Sequence, residues 1–369
     1  MKLSGEIALA SGFIFDYSNM INTDTITPAV IETLESKAKD AADALLLIRE
    51  QGMAKAHLSK DGTPEHVLFT KLPFVKNGNP NTPESIAKLK QFGSYLQQEI
   101  DAVVFLGVGG SYLGNKVLFD IFAGSGWNVG CEKRRHGYPR VYFSGNNLDV
   151  DQYSEVVDEV EYLATHRLGK NEQFRVLLVP ISKSGTTLET LAAFSYFYEQ
   201  CQKSSLLQME VAVVTDLDED ISPLYNLAKE NVWQCFDIKE GIGGRFCIFS
   251  DPGLITAAAI GMDIDAFLCG ARDMENACQS ASLGENPALL NAVLKYAAAE
   301  KGVDIEVFMP YAAKMKSVGE WYVQLLAESL GKRKDREGNV VYYGRTPVSA
   351  VGSTDMHAQT QQHQDGKKD

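Results

Sequence analysis

VLLVPISKSGTTLET, residues 176–190, decides the fold. An apolar run from Val176 to Ile181 stops in six small polar or cationic residues, SKSGTT, and a helix-compatible stretch follows at once. A short continuous apolar run bounded in this way predicts a strand buried on both faces, as parallel sheets require. The same grammar repeats on either side. AVVFLG (102–107), RVYFSG (140–145), MEVAVVTD (209–216) and VWQCFDI (232–238) read as further strands. VDQYSEVVDEVEYLA (150–164) and LETLAAFSYFYEQC (188–201) read as the helices between them. Strands alternating with helices predict an α/β fold, a doubly wound parallel sheet in three αβα layers with right-handed crossovers.

The flanks have other textures. Residues 1–99 read as a helical segment, on the apolar spacing of PAVIETLESKAKDAADALLLIREQG (28–52) and ESIAKLKQFGSYLQQEI (84–100). Pro73 and NGNPNTP (77–83) mark the loops between them. Past the first sheet, a glycine loop and a helical bridge rich in Gly and Ala occupy 241–300. A second, shorter αβ unit then opens at 301–369: strand IEVFMPY (305–311), a helix AAKMKSVGEWYVQLLAESLGK that ends at Gly331, and extended VVYYGRTPVSAVGS (340–353). The predicted division is therefore 1–99, 100–240, 241–300 and 301–369.

Composition excludes several function classes. The 369 residues are 45% hydrophobic and 22% charged, an ordinary globular balance. Net charge is −13, which argues against nucleic acid as a partner. The one basic cluster, Lys133-Arg134-Arg135-His136, reads as a solvated loop face. No run of eighteen apolar residues is present, so no membrane span is expected, and the N-terminus lacks the apolar core of a signal peptide. The six cysteines are scattered, which predicts free thiols and a cytoplasmic setting. No Cys/His cluster or HExxH stretch predicts a metal.

Chemistry concentrates at strand ends, where doubly wound sheets bind ligands. SKSGTT offers four hydroxyls (Ser182, Ser184, Thr186, Thr187), one point charge (Lys183) and a glycine, Gly185, that lets backbone approach an anion. With a helix N-terminus behind it, the loop suits a phosphate. The alternative is a Ser/Thr helix cap with a solvated lysine. It is not a P-loop, because the lysine precedes the glycine. GVGGSYLG (107–114) fails the dinucleotide fingerprint at Tyr112; Gly107, Gly109 and Gly110 form a tight turn that brings Ser111 beside SKSGTT. Two such loops on adjacent strands imply a sugar phosphate and no cofactor. In GIGGRFCIFSDPG (241–253), Arg245 either points into a cleft to stabilise developing negative charge or pairs with an acid such as Asp251. Gln324 and Glu328 share one helical face beside Trp321, Tyr322, Leu325 and Leu326, a setting expected to desolvate the carboxylate into a usable base. His357 follows a glycine turn, alone.

Taken together, GVGGS, SKSGTTLET, GGRF, WYVQLLAESLGK and RTPVSAVGSTDMHAQTQ resemble the glucose-6-phosphate isomerase family, in its shorter bacterial branch, over 102–369. The resemblance implies two SIS-type α/β domains, the second incomplete, in a homodimer that interconverts glucose 6-phosphate and fructose 6-phosphate without a cofactor. It implies that Ser111, Ser182, Lys183, Ser184 and Thr187 hold the phosphate, with Gly110 at the sugar. Glu328 then shuttles a proton between C1 and C2 through a cis-enediol, Arg245 steadies the enediolate, and Gln324 contacts the sugar chain. His357 assists ring opening from across the dimer interface. Met356 stands where the family usually has glutamine, and the family's C-terminal lysine has no counterpart, so a C-terminally truncated isomerase is expected. A non-catalytic sugar-phosphate module and an isomerase of another hexose phosphate are the alternatives.

Overall fold

A computed structural model describes residues 5–22, 26–59, 62–170 and 172–366. The chain forms two units, Met1–Phe74 with Asp265–Asp369, and Val75–Ile264.

The first unit opens with an antiparallel pair, β1 (Glu6–Ala8) and β2 (Ile14–Asp16). Helix α1 (Pro28–Gln51) follows, with Pro28 in its first turn, Thr27 accepting from the Val30 N–H and Gly52 closing it in the left-handed region. These are the start and stop signals that the sequence carries. A second hairpin, β3 (Met53–Leu58) and β4 (Pro64–His66), comes next. Both helices expected in 1–99 are present. The two hairpins were absent from that reading: three of their four strands have only three residues, too few to show alternation, and β3 follows α1 directly after Gly52.

The second unit carries the parallel sheet. Helix α2 (Pro83–Glu99), boxed at its start by reciprocal Thr82 and Ser85 bonds, leads into β5 (Ala102–Leu106). Then come α3 (Gly110–Leu118), β6 (Arg140–Ser144), α4 (Val150–Thr165), β7 (Phe174–Pro180), α5 (Leu188–Lys203), β8 (Leu207–Thr215), α6 (Pro223–Glu230), β9 (Gln234–Asp237) and α7 (Asp251–Ala259). All pairings are parallel, in the order β6-β5-β7-β8-β9. Alternate residues face opposite layers. Val104, Leu106, Val176, Leu178 and Val213 pack on Tyr153, Leu163, Phe194 and Phe197 of α4 and α5. On the other side Phe92 of α2 meets Phe236 of β9 at 4.9 Å, and α2 lies on α7 closely enough that a Cβ on Gly93 would stand 2.9 Å from the Ala258 carbonyl. Three αβα layers result, as the apolar runs predict.

The first unit then resumes. Helices α8 (Ile264–Ala277) and α9 (Pro287–Ala299) follow, and Leu290, Val293 and Leu294 of α9 build a core with Ile31, Ala38 and Ala42 of α1. Strand β10 (Ile305–Phe308), helix α10 (Lys316–Leu330), the hairpin β11 (Lys332–Lys334) and β12 (Val340–Tyr343), strand β13 (Thr346–Ser349) and helix α11 (Met356–Asp365) complete it. β10 and β13 pair in parallel, so this is one βαβ crossover with Gly331 closing α10, as expected. One reading needs correction. Arg135 is not on a solvated face: it is buried, its guanidinium donating to the carbonyls of Gly130 and Tyr138, while Lys133, Arg134 and His136 are exposed.

Candidate active site

The crevice of the sheet lies between β5 and β7, from which the chain departs in opposite directions. The Ile181 N–H donates to the Leu106 carbonyl at 2.8 Å, which sets the GVGGS and SKSGTT loops side by side on neighbouring strand ends.

SKSGTT is held from behind by β8. The Ser182 N–H donates to the Val214 carbonyl at 3.0 Å, and the Asp216 N–H to the Lys183 carbonyl at 3.2 Å. The buried Thr215 hydroxyl donates to the Ser182 carbonyl at 2.7 Å and lies 2.6 Å from the Ser222 hydroxyl. Gly185 has φ +64, and a Cβ there would sit 2.2 Å from Ser222 Oγ, so the loop rests on the start of α6 where only glycine fits. Ser182 is buried and bonded to the Thr187 hydroxyl at 2.8 Å; Ser184 and Thr186 are exposed and bonded to each other at 2.8 Å; Lys183 is exposed.

Thr187 is the N-cap residue of α5, yet its side chain accepts nothing from the first turn. The simple capping alternative therefore does not describe this loop. The hydroxyls pair among themselves, and the helix start keeps its partial positive charge without a side-chain cap. Thr190 and Ser144, buried at the same edge of the sheet, carry hydroxyls with no hydrogen-bond partner among the described residues.

Gly110 and Ser111 begin α3, and this end meets the GGRF loop backbone to backbone. A Cβ on Gly110 would stand 2.3 Å from the Gly244 carbonyl carbon, and the Cys247 thiol donates to the Gly110 carbonyl at 3.3 Å. Gly110, Ser111 and Arg245 are thus brought together. Arg245 is half-buried, its guanidinium 5.0 Å from the Phe246 ring centroid. The Asp251 carboxylate accepts from the Asp237 N–H at 3.1 Å.

Gln324, Glu328 and His357 belong to the other unit. Gln324 Nε2 donates to Glu328 Oε1 at 2.9 Å, so the shared helical face is as expected. The expected desolvation is not supplied by the helix itself. Glu328 is exposed, because Tyr322, Leu326 and Leu330 turn to the opposite side of α10 and half-bury there. His357 is exposed near the start of α11. Among the described residues no group of His, Cys, Asp or Glu could hold a metal, and no helix is long and apolar enough to cross a membrane.

Sequence reasoning missed Thr215 and Ser222. The signal was a threonine ending the strand beside SKSGTT and a serine one residue before Pro223 at a helix start. Thr215→Val removes the brace, leaving the Ser182 carbonyl with the Gly185 N–H alone at 3.2 Å and taking a partner from the buried Ser222 hydroxyl. It should cost about 1–3 kcal/mol of stability and weaken inorganic phosphate binding roughly tenfold, measured by urea melting and calorimetry.

Asp251 is a second residue the sequence showed only dimly. Burial, with the Asp237 charge adding, pushes its carboxyl up to about 6. An acid raised in the folded state binds its proton more tightly there than when unfolded. Stability is therefore greatest below the unfolded value and falls as pH rises from about 4 to about 6. Asp251→Asn keeps an acceptor for the Asp237 N–H and should flatten that slope, adding up to about 2 kcal/mol at pH 7. Melts of both proteins across that range check it.

A doubly wound parallel sheet, with the GVGGS and SKSGTT loops side by side at its switch point, defines the class: a three-layer α/β fold. The chain belongs to the phosphoglucose isomerase family, whose model matches residues 88–367. It is 34% identical over 301 residues to a glucose-6-phosphate isomerase of Carboxydothermus hydrogenoformans, covering 82% of this chain and 61% of that protein. It is 32% identical over 286 residues to one from Clostridioides difficile, covering 77% and 59%. The crystal structure of a glucose-6-phosphate isomerase from Chlamydia trachomatis matches the fold with a TM-score of 0.77 at 23% identity, over 99% of this chain and 68% of that one. The chain spans about three fifths of the length of the curated relatives it matches.

Proposed function

We propose that the chain is an aldose–ketose isomerase interconverting glucose 6-phosphate and fructose 6-phosphate. The observation that carries the reading is the uncapped start of α5, preceded by the hydroxyls of Ser182, Ser184 and Thr187 and by Lys183, on the strand next to β5, whose loop leads to Ser111 at the start of α3. Family membership supplies the hexose phosphate. In this reading phosphate binding fixes a substrate whose reacting carbons lie remote from the anion, so binding energy is spent on positioning. Glu328 moves the proton between C1 and C2, Arg245 steadies the enediolate, Gln324 contacts the sugar chain, and His357 of a second copy in a homodimer assists ring opening. Base and charge stabiliser divide the barrier between them, about 10²–10⁴-fold for the base and a few kcal/mol for the preorganised cation. A cytoplasmic setting accords with the six free thiols.

The test is turnover of fructose 6-phosphate in a coupled assay, run beside calorimetric binding of the same sugar. Turnover that inorganic phosphate inhibits competitively supports the reading. Binding without turnover favours a non-catalytic sugar-phosphate module. Turnover of a different hexose phosphate alone would move the substrate but keep the chemistry.

A further inference from the structure

The first unit contains a cavity of about 490 Å³ between α1, α9, α10 and β12. Its size is that of a small-molecule site. Ala38 and Ala41 of α1 leave the room, Val293 of α9 and Leu326 and Leu330 of α10 make the walls apolar. Three cations, Lys37, Lys295 and Arg345, stand among its lining residues, and no carboxylate does. That is the reverse of a chain with net charge −13.

Glu306, buried and not part of the lining, is the carboxylate that meets two of these cations. It takes Lys295 at 3.1 Å, Arg345 Nε at 2.9 Å and the Tyr322 hydroxyl. Against the desolvation of burial, those donors hold its carboxyl below the usual carboxylate range, so it contributes one negative charge to two positive ones. Lys37 hydrogen-bonds a neutral group, the Tyr296 hydroxyl at 2.8 Å, with its Nζ 4.4 Å from the same ring's centroid, and feels one carboxylate, Glu300, so three cations stand against two anions. The mouth therefore carries surplus positive charge above an apolar floor.

We propose that this cavity binds a small amphiphilic anion, a hydrocarbon or aromatic body seated between α1 and α10 with its carboxylate or sulfonate head at Lys37, Lys295 and Arg345. The site reaches the chemistry through α10. Tyr322, Leu326 and Leu330 face the cavity, while Gln324 and Glu328, about 200° around the helix from Tyr322 and Leu326 respectively, face away. A bound body would fix the position of that helix. This last step rests on the function proposed above; the binding itself does not.

Anilinonaphthalene sulfonate serves as the fluorescent probe on the 369-residue chain. It should bind at one site, be displaced by dodecanoate and resist displacement by dodecyltrimethylammonium. Leu326→Trp and Ala41→Phe fill the cavity from opposite walls, so either one that melts cooperatively should lose probe affinity by more than about tenfold. Lys37→Glu should weaken the probe about three- to tenfold. Unchanged binding in both filled variants overturns the proposal, as does equal displacement by the cationic amphiphile. Binding that falls as protein concentration rises through a dimer transition also overturns it, because a second copy then closes the cavity. Saturating dodecanoate should change kcat for fructose 6-phosphate at least about threefold in the parent and not in Ala41→Phe. Binding with no change in kcat overturns the coupling alone, and a chain without isomerase activity leaves the fluorescence arms fully readable.

Discussion

Glu328→Gln should lower the turnover of fructose 6-phosphate by about 10²–10⁴-fold while the inhibition constant of inorganic phosphate stays where it was. The substitution is isosteric, and the amide oxygen can still accept from Gln324 Nε2, now at 2.9 Å from Glu328 Oε1. Glu328 is exposed on α10, so folding should be indifferent to the change. In the proposed reading phosphate is held by Ser111, Ser182, Lys183 and Thr187, all residues of the other unit. The two measurements therefore separate proton transfer from anion capture. A variant that keeps more than a tenth of the parent kcat would remove Glu328 from the role of base. One that loses phosphate affinity together with turnover would mean the glutamate acts through structure.

The parts legible in the sequence were those written in one contiguous segment. Strands β5 and β7 announced themselves because burial on both faces demands unbroken apolar runs, AVVFL (102–106) and VLLVP (176–180). Gly52 and Gly331 marked the ends of α1 and α10 because a helix stop is a local event. What was not legible depends on groups distant in sequence. Thr215 braces a carbonyl 33 residues earlier, and Arg135 is buried by carbonyls that a short curled segment turns inward. The exposure of Glu328 illustrates the same limit. Apolar neighbours along a helix say nothing about desolvation unless they lie on the carboxylate's own face, and here Leu326 and Leu330 serve a cavity on the other side. Helix α2 shows it at larger scale: its amphipathic pattern was visible, yet contacts distant in sequence, such as Phe92 on Phe236 and Lys88 Nζ on the Cys235 carbonyl, assign it to the parallel sheet.

Gly110→Ala should be among the most damaging single-methyl changes in the molecule, and Gly244→Ala, on the other side of the same contact, nearly silent. A Cβ on Gly110 would sit 2.3, 2.5 and 2.6 Å from the carbonyl carbon, oxygen and Cα of Gly244, all backbone atoms. Neither partner can yield cheaply. Helix α3 is pinned by the buried Asn115, which donates to the Ser111 carbonyl at 2.8 Å and accepts from Thr256 at 3.0 Å. The GGRF turn is pinned by the Cys247 thiol and by Ile248, whose Cβ already lies 3.1 Å from where a Cβ on Gly114 would be. Overpacking of this kind costs about 2–3 kcal/mol. It also displaces Ser111 and Arg245 from each other, so phosphate affinity should drop more than about tenfold, a change of about 1.4 kcal/mol or more. A Cβ on Gly244 meets only the Gly110 Cα, at an ordinary 3.6 Å, and its cost should stay within about 0.5 kcal/mol. Urea melts with phosphate titrations on both variants read the asymmetry. Equal costs at the two glycines would mean that the α3 and GGRF backbones are not in this contact, and with it would go the geometry that places Arg245 beside the start of α3.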